Sequence, residues 1–310
     1  MPPTIHLVRH AEGLHNLGRD GDNIRDAPLS RHGRSPQCIT LRGTFPHMDK
    51  ITHLVASPLR RTIETCIHAF RPAVKAGKRV MLVPELQEVG ALPCSTGSSV
   101  EKLERTFGND IDTSLLRKGW NNRGAGSGFD DVDMKTLAAR ARKARQWLWD
   151  LAQSAGDDAH IVVVSHGHLI NVLLRNYSML RAEACWRNAE YRSFHFVDPA
   201  QDPEGLYPHR PGRLTEEQLL ELALKAPDAE AAQKRIDRYC FSFKTTWQSY
   251  KSKHTHKQQP QVETPELVLV ETDESKRGRG FALSDTSPVK PNEWWHYRDE
   301  PFLELDHTAG

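Results

Sequence analysis

Arg9 and His10 stand directly behind the apolar run Ile5 to Val8, where a short buried strand should give way to a loop. A guanidinium and an imidazole fixed side by side at a strand end suit a nucleophile that attacks an anionic group. Ser165 and His166 repeat the placement, closing the run HIVVV at 160–164. Two further stretches add the missing chemistry. In SPLRRTIET (57–65) the arginines Arg60 and Arg61 open a helical pattern, and PELQEVG (84–90) offers the carboxylates Glu85 and Glu88 in a loop. Cations, imidazoles and a carboxylate together provide charge stabilisation and proton transfer at a phosphoryl group.

If phosphate is handled here, side-chain cations must do it. The sequence has no GxxxxGK cradle and lacks the paired acidic clusters of a magnesium phosphoryl-transfer site, so neither metal nor cofactor is expected. The pair His166 and His168 lacks a third ligand, and His168 is read as a helix-capping or core histidine. Ser57 is read as the N-terminal hydrogen-bonder of the helix holding Arg61. A second Arg-His pair, Arg31 and His32, follows Leu29 and Ser30 in the pattern of a helix N-cap, which sets it apart from the reactive pair.

Read together and in this order, LVRHAEGLHN (7–16), ASPLRRTIET (56–65), PELQEVG (84–90) and VVVSHGHL (162–169) resemble the histidine phosphatase superfamily, which includes the cofactor-dependent phosphoglycerate mutases and related phosphatases. The resemblance spans residues 4 to about 197. It implies that His10 attacks phosphorus and becomes a phosphohistidine, that Arg9, Asn16, Arg61 and His166 bind phosphate, and that Glu88 is the acid and base. Arg60 is then the neighbour facing solvent. Ala11 departs from the family's usual glycine after the nucleophile but is small enough to let the loop pass close. The implied activity is metal-independent hydrolysis of a small-molecule phosphate monoester. Phosphoglycerate mutase-type transfer and a non-catalytic phosphate-ester-binding scaffold are the alternatives.

The elements that must position these residues alternate between strand and helix. Strand patterns at 4–8, 51–56, 79–83, 160–164 and 191–197 interleave with helical patterns at 30–43, 59–70, 99–107, 133–154 and 168–176. Several strands are apolar throughout, so the sheet should be mostly parallel and covered on both faces, a three-layer α/β/α sandwich with sites at the carboxyl ends of its strands. The resemblance makes it phosphoglycerate mutase-like. Residues 1–200 are read as the catalytic domain. Residues 201–310 form an extension, helical to about 252 and then an irregular tail that packs on the core or is partly disordered. The glycine-rich stretch 119–128 is read as a mobile loop, and Arg140, Arg142, Lys143 and Arg145 as the solvated face of the helix after it.

Composition narrows the partners. The chain has 310 residues, 38% of them hydrophobic and 26% charged, and a formal net charge of +2, which lacks the electrostatic footprint of a nucleic-acid binder. No apolar run is long enough to cross a bilayer and no secretory signal pattern opens the sequence. Five widely spaced cysteines without CxxC pairing point to reduced thiols, hence to a cytoplasmic or nuclear setting. The expected partner is a phosphorylated small molecule, without nucleic acid or membrane.

Overall fold

A computed structural model describes residues 1–124, 127, 129, 134–175, 186–197 and 267–278. Among these residues a seven-stranded sheet runs in the order β4-β3-β2-β5-β1-β6-β7. The strands are β1 (Thr4–Arg9), β2 (Ile51–Ala56), β3 (Val80–Leu82), β4 (Ile111–Asp112), β5 (His160–Ser165), β6 (Tyr191–Val197) and β7 (Val268–Glu271). β1 to β5 are mutually parallel, and β6 alone runs antiparallel to both of its neighbours.

The central strands are apolar on both faces because both faces are covered. Along β5, Ile161 and Val163 point into a core shared with α5 (Met134–Ala155) and α6 (Gly167–Leu173), whereas Val162 and Val164 point the other way. That second core is closed by α1 (Cys38–Thr44), α2 (Arg60–Ala69), α3 (Arg71–Lys75) and α4 (Val100–Phe107). The expected three-layer sandwich is therefore the fold. β4 and α3, absent from the sequence reading, are short elements at an edge and after Phe70.

Three differences from the sequence reading have physical causes. Val268–Glu271, inside the segment read as irregular, pairs antiparallel with β6, burying Leu269 against the core. A four-residue strand at a sheet edge is too short to announce itself by alternation. The part of the extension read as helical, to about 252, lies outside the described residues. Second, α5 does not present all four basic residues to water: Arg140 and Arg145 are buried, and only Arg142 and Lys143 are exposed. The inner stripe of α5 is mostly alanine (Ala138, Ala141, Ala144, Ala152), and such small side chains leave room for long arginines beside them. Third, the first half of the stretch read as a mobile loop is anchored, with Trp120 buried and Asn121 Nδ2 donating to the Gly97 carbonyl at 2.9 Å.

The end of the sheet opposite His10 carries a buried histidine group. His6 donates or accepts at both nitrogens, with Ser193 Oγ at 2.8 Å and His160 Nδ1 at 2.9 Å; its ring stacks on His160 and meets Phe45 edge-on. Burial first, then His160, His47 and His195, hold the His6 pKa well below 6.5, so it is neutral in the fold and more basic in the unfolded chain. Its stability contribution is complete above pH 6.5 and is lost as pH falls through the depressed folded value. The expected slope is up to about 1.4 kcal/mol per pH unit for each such histidine. Urea titrations at pH 7.5 and 5.5 check this, and His6→Gln should make the dependence shallower.

Candidate active site

Strand register places His10 and His166 together. Arg9 of β1 lies opposite Ser165 of β5, and the His10 backbone N–H donates to the Ser165 carbonyl at 2.9 Å. The residues just beyond both strand ends, His10 and His166, consequently lie with ring centroids 5.2 Å apart. His166 also begins α6, whose first residue Gly167 lies against Arg9; a Cβ there would be 3.4 Å from the Arg9 side chain. Arg9 donates to the Trp186 carbonyl, and Asn188 donates to the His10 carbonyl at 3.1 Å.

Helix α2 serves the site through residues one turn apart. Arg61 is 1% exposed, donates from Nη1 to the Cys94 carbonyl at 2.6 Å and keeps a buried Nε with no hydrogen-bond partner. Four residues on, Thr65 Oγ1 accepts the Ala11 N–H at 2.9 Å and donates to the Arg61 carbonyl, so one turn of helix fixes both the cation and the loop behind His10. The N-terminus of α2 is satisfied by Asp26, whose Oδ1 accepts from the Arg60 N–H and whose Oδ2 accepts from Ser98 N–H, both at 2.9 Å. Ser57, read as the cap, instead meets His166 Nε2 at 2.8 Å. A cap 34 residues upstream has no sequence signature. Arg60, read as facing solvent, is half-buried and pairs with the buried Glu64 at 3.1 Å.

The tautomer of His10 follows from its partner. Nδ1 lies 2.7 Å from the Ala11 carbonyl, which can only accept, so Nδ1 carries the proton. Burial first, then Arg61, His15 and Arg9, keep its pKa well below 6.5. The ring is neutral and Nε2 holds a lone pair. His166 is depressed by burial and by Arg61, and its Nδ1 is buried without a hydrogen-bond partner.

Glu88 reaches the same group, where it acts electrostatically on Arg61 and His15. Burial pushes its pKa up, yet His168, Arg61 and the Val89 N–H outweigh burial and bring it to about 2. Its loop is clamped by arginines that sequence reasoning placed elsewhere: Arg140 donates to the Gln87 carbonyl at 2.6 Å, and Arg123 to the Glu88 carbonyl at 2.7 Å. Glu85 contributes only its backbone carbonyl, to Arg140. His168 is neither core nor cap; it is exposed, with Nδ1 3.6 Å from Glu88 Oε2. His15 was also missed, although its ring centroid lies 5.3 Å from that of His10 and burial and Arg61 lower its pKa to about 3. Its place in LVRHAEGLHN, one residue before Asn16, was the available signal.

Asn16 lies in the 3-10 turn Leu14–Asn16, exposed, with Oδ1 accepting the Gly13 N–H at 3.0 Å. Arg31 and His32 are exposed on the helix that Ser30 caps through the Gly33 N–H at 3.0 Å. This LSRHG helix braces the site through its glycine, because a Cβ at Gly33 would lie 2.1 Å from the Glu12 carbonyl oxygen. Gly33→Ala is expected to cost about 1–3 kcal/mol through overpacking, read as a lowered urea midpoint.

The chain belongs to the histidine phosphatase superfamily (branch 1), whose family model matches residues 5–200. It is 26% identical over 260 residues to a phosphoglycerate mutase-like protein of Arabidopsis thaliana, covering 66% of this chain and 93% of that protein. Among solved structures it is similar to a phosphoserine phosphatase mutant from Entamoeba histolytica, at 23% identity and a TM-score of 0.40, over 63% of this chain and 91% of that one. A mycobacterial glucosyl-3-phosphoglycerate phosphatase matches at 21% identity and a TM-score of 0.40, over 63% and 93%.

Proposed function

We propose that the protein hydrolyses a small-molecule phosphate monoester through a phosphohistidine on His10, without a metal. The observation that carries this reading is the fixed tautomer of His10, a neutral imidazole with its Nε2 lone pair set among Arg9, Arg61 and His166. A neutral imidazole is the form that can attack phosphorus.

The guanidiniums supply the positive charge that a metal provides elsewhere. Arg9 and Arg61 bind the non-bridging oxygens of the ester, joined by His166 and by the Asn16 amide, whose oxygen Gly13 already holds. The Nε2 lone pair forms the P–N bond as the P–O bond to the alcohol breaks, and the Glu88 carboxyl group delivers a proton to the departing oxygen. Water then attacks phosphorus while Glu88 takes its proton, the P–N bond breaks and inorganic phosphate leaves. The same two cations that hold the ester keep His10 neutral, so one arrangement serves binding and nucleophilicity.

The test is phosphate release from a panel of monoesters in the presence of a chelator, with trapping of labelled enzyme. The expected result is an acid-labile, base-stable phosphoryl group on His10 and turnover that survives chelation. Loss of turnover on chelation, or label on a residue other than His10, would overturn the reading. Transfer of label to an added alcohol faster than to water would replace hydrolysis by mutase chemistry.

A further inference from the structure

We propose that His168 and Glu88 act as one proton-carrying unit, in which His168 stores the proton that Glu88 hands to the leaving alcohol. The inference rests on the phosphatase reading above and adds a positioning and proton-storing residue to it.

The geometry is local and built. Glu88 Oε1 accepts the Val89 N–H at 2.8 Å, which fixes the carboxylate plane, and Oε2 faces His168 Nδ1 at 3.6 Å. His168 lies in the first turn of α6, two residues after His166, so the strand end that places the phosphate-binding imidazole also places this one. The Glu88 backbone is held from the other side by Arg123 and by Arg140. Among the described residues, the charged groups around the pair are Arg61 from α2, His15 from the loop after β1, Arg9 from β1, and Arg123 and Arg140 beyond the loop.

Glu88 alone has a chemical difficulty. Its carboxyl group, held at about 2, is ionised at neutral pH, and an ionised carboxylate has no proton to give an alkoxide. Burial lowers the basicity of His168, but the facing carboxylate raises it by more, so the proton of the pair rests on the imidazole. Entry of a phosphate dianion beside Glu88 disfavours its negative charge, and the proton passes from His168 Nδ1 to Glu88 Oε2. As the His10 Nε2–P bond forms and the P–O bond breaks, Glu88 transfers that proton to the leaving oxygen. In the second half-reaction Glu88 takes a proton from the attacking water, hydroxide oxygen bonds to phosphorus, the P–N bond breaks and the proton returns to His168. The unit ends as it began, and the net change is one ester and one water converted to one alcohol and one phosphate.

The proposal separates esters by their leaving groups. An alkoxide needs the proton, whereas a nitrophenolate departs with far less help. The experiment measures kcat/KM from pH 5 to 9 on the full chain, with p-nitrophenyl phosphate and the fastest alkyl phosphate of the panel, for wild type, His168→Gln and His10→Ala. His168→Gln should lower the alkyl rate by about 10²-fold at pH 7.5, with a loss at least about tenfold smaller on the aryl ester. For the alkyl ester the wild-type rate should hold level through neutral pH until His168 loses its proton, whereas in His168→Gln that plateau should be gone and the rate should fall steadily from the acid side as Glu88 alone ionises. His168→Asn serves as a second variant, and because the residue is exposed both should melt at the wild-type temperature. Equal losses on the two esters, a neutral plateau that persists in His168→Gln, or wild-type turnover of aryl esters alone would overturn the unit while leaving His10 as the nucleophile. Wild-type rates in His10→Ala would overturn the phosphatase reading and the unit with it.

Discussion

Exchange of His10 for alanine is expected to lower phosphate release by about 10⁴-fold or more, because the lone pair that attacks phosphorus is lost with the ring. His166 is not expected to take over, because its Nε2 is engaged by Ser57 Oγ at 2.8 Å and the proposed mechanism gives it phosphate binding. Affinity should survive the change, since Arg9, Arg61 and His166 remain, so a phosphate ester should still bind His10→Ala by calorimetry. Retained turnover with retained affinity would show that another residue is the nucleophile. The alanine also removes a buried imidazole, so the variant should lose less stability on acidification than wild type.

Arg61→Met should cost less, and for a different reason. A buried, preorganised donor that meets developing charge is typically worth about 3 kcal/mol, or roughly 10²–10³-fold in kcat/KM. Arg61 is 1% exposed and already tethered to the Cys94 carbonyl, so little reorganisation is left for the reaction. A second effect distinguishes it from a simple packing defect. Arg61 is the largest charge effect depressing His10, after burial, so its removal lets His10 take a proton more readily. The acid limb of the rate profile should therefore move to higher pH in Arg61→Met, although burial keeps it below the ordinary histidine value. A rate loss with an unmoved acid limb would mean that the guanidinium acts on the substrate alone.

Much of this architecture was legible because it depends on local pattern. The runs ending at Val8 and Val164 are buried on both faces, and strand ends fix where the next polar residue must sit, so His10 and His166 could be placed from sequence. Arg61 could be told from Arg60 only through the family motif, and the structure separates them by burial. Capping and clamping escaped because they act at long range. Asp26 satisfies a helix that begins at Arg60, and Arg140 grips Gln87, 53 residues before it; neither partner is visible in either segment alone. His168 was misread for the opposite reason: a histidine in the first helical turn has several bland uses, and only the distance to Glu88 distinguishes them.

The antiparallel seam between β6 and β7 carries one last implication. Residues 198–267 separate the two strands, so the final rung of the sheet is translated well after the reactive layer has been laid down. Until then β6 has an open row of amide and carbonyl groups beside the strand that bears the nucleophile, and such a row invites pairing with foreign chains. Chains ended near residue 200 would keep every reactive side chain and still lack the guard on that flank, so their solubility should suffer before their chemistry does.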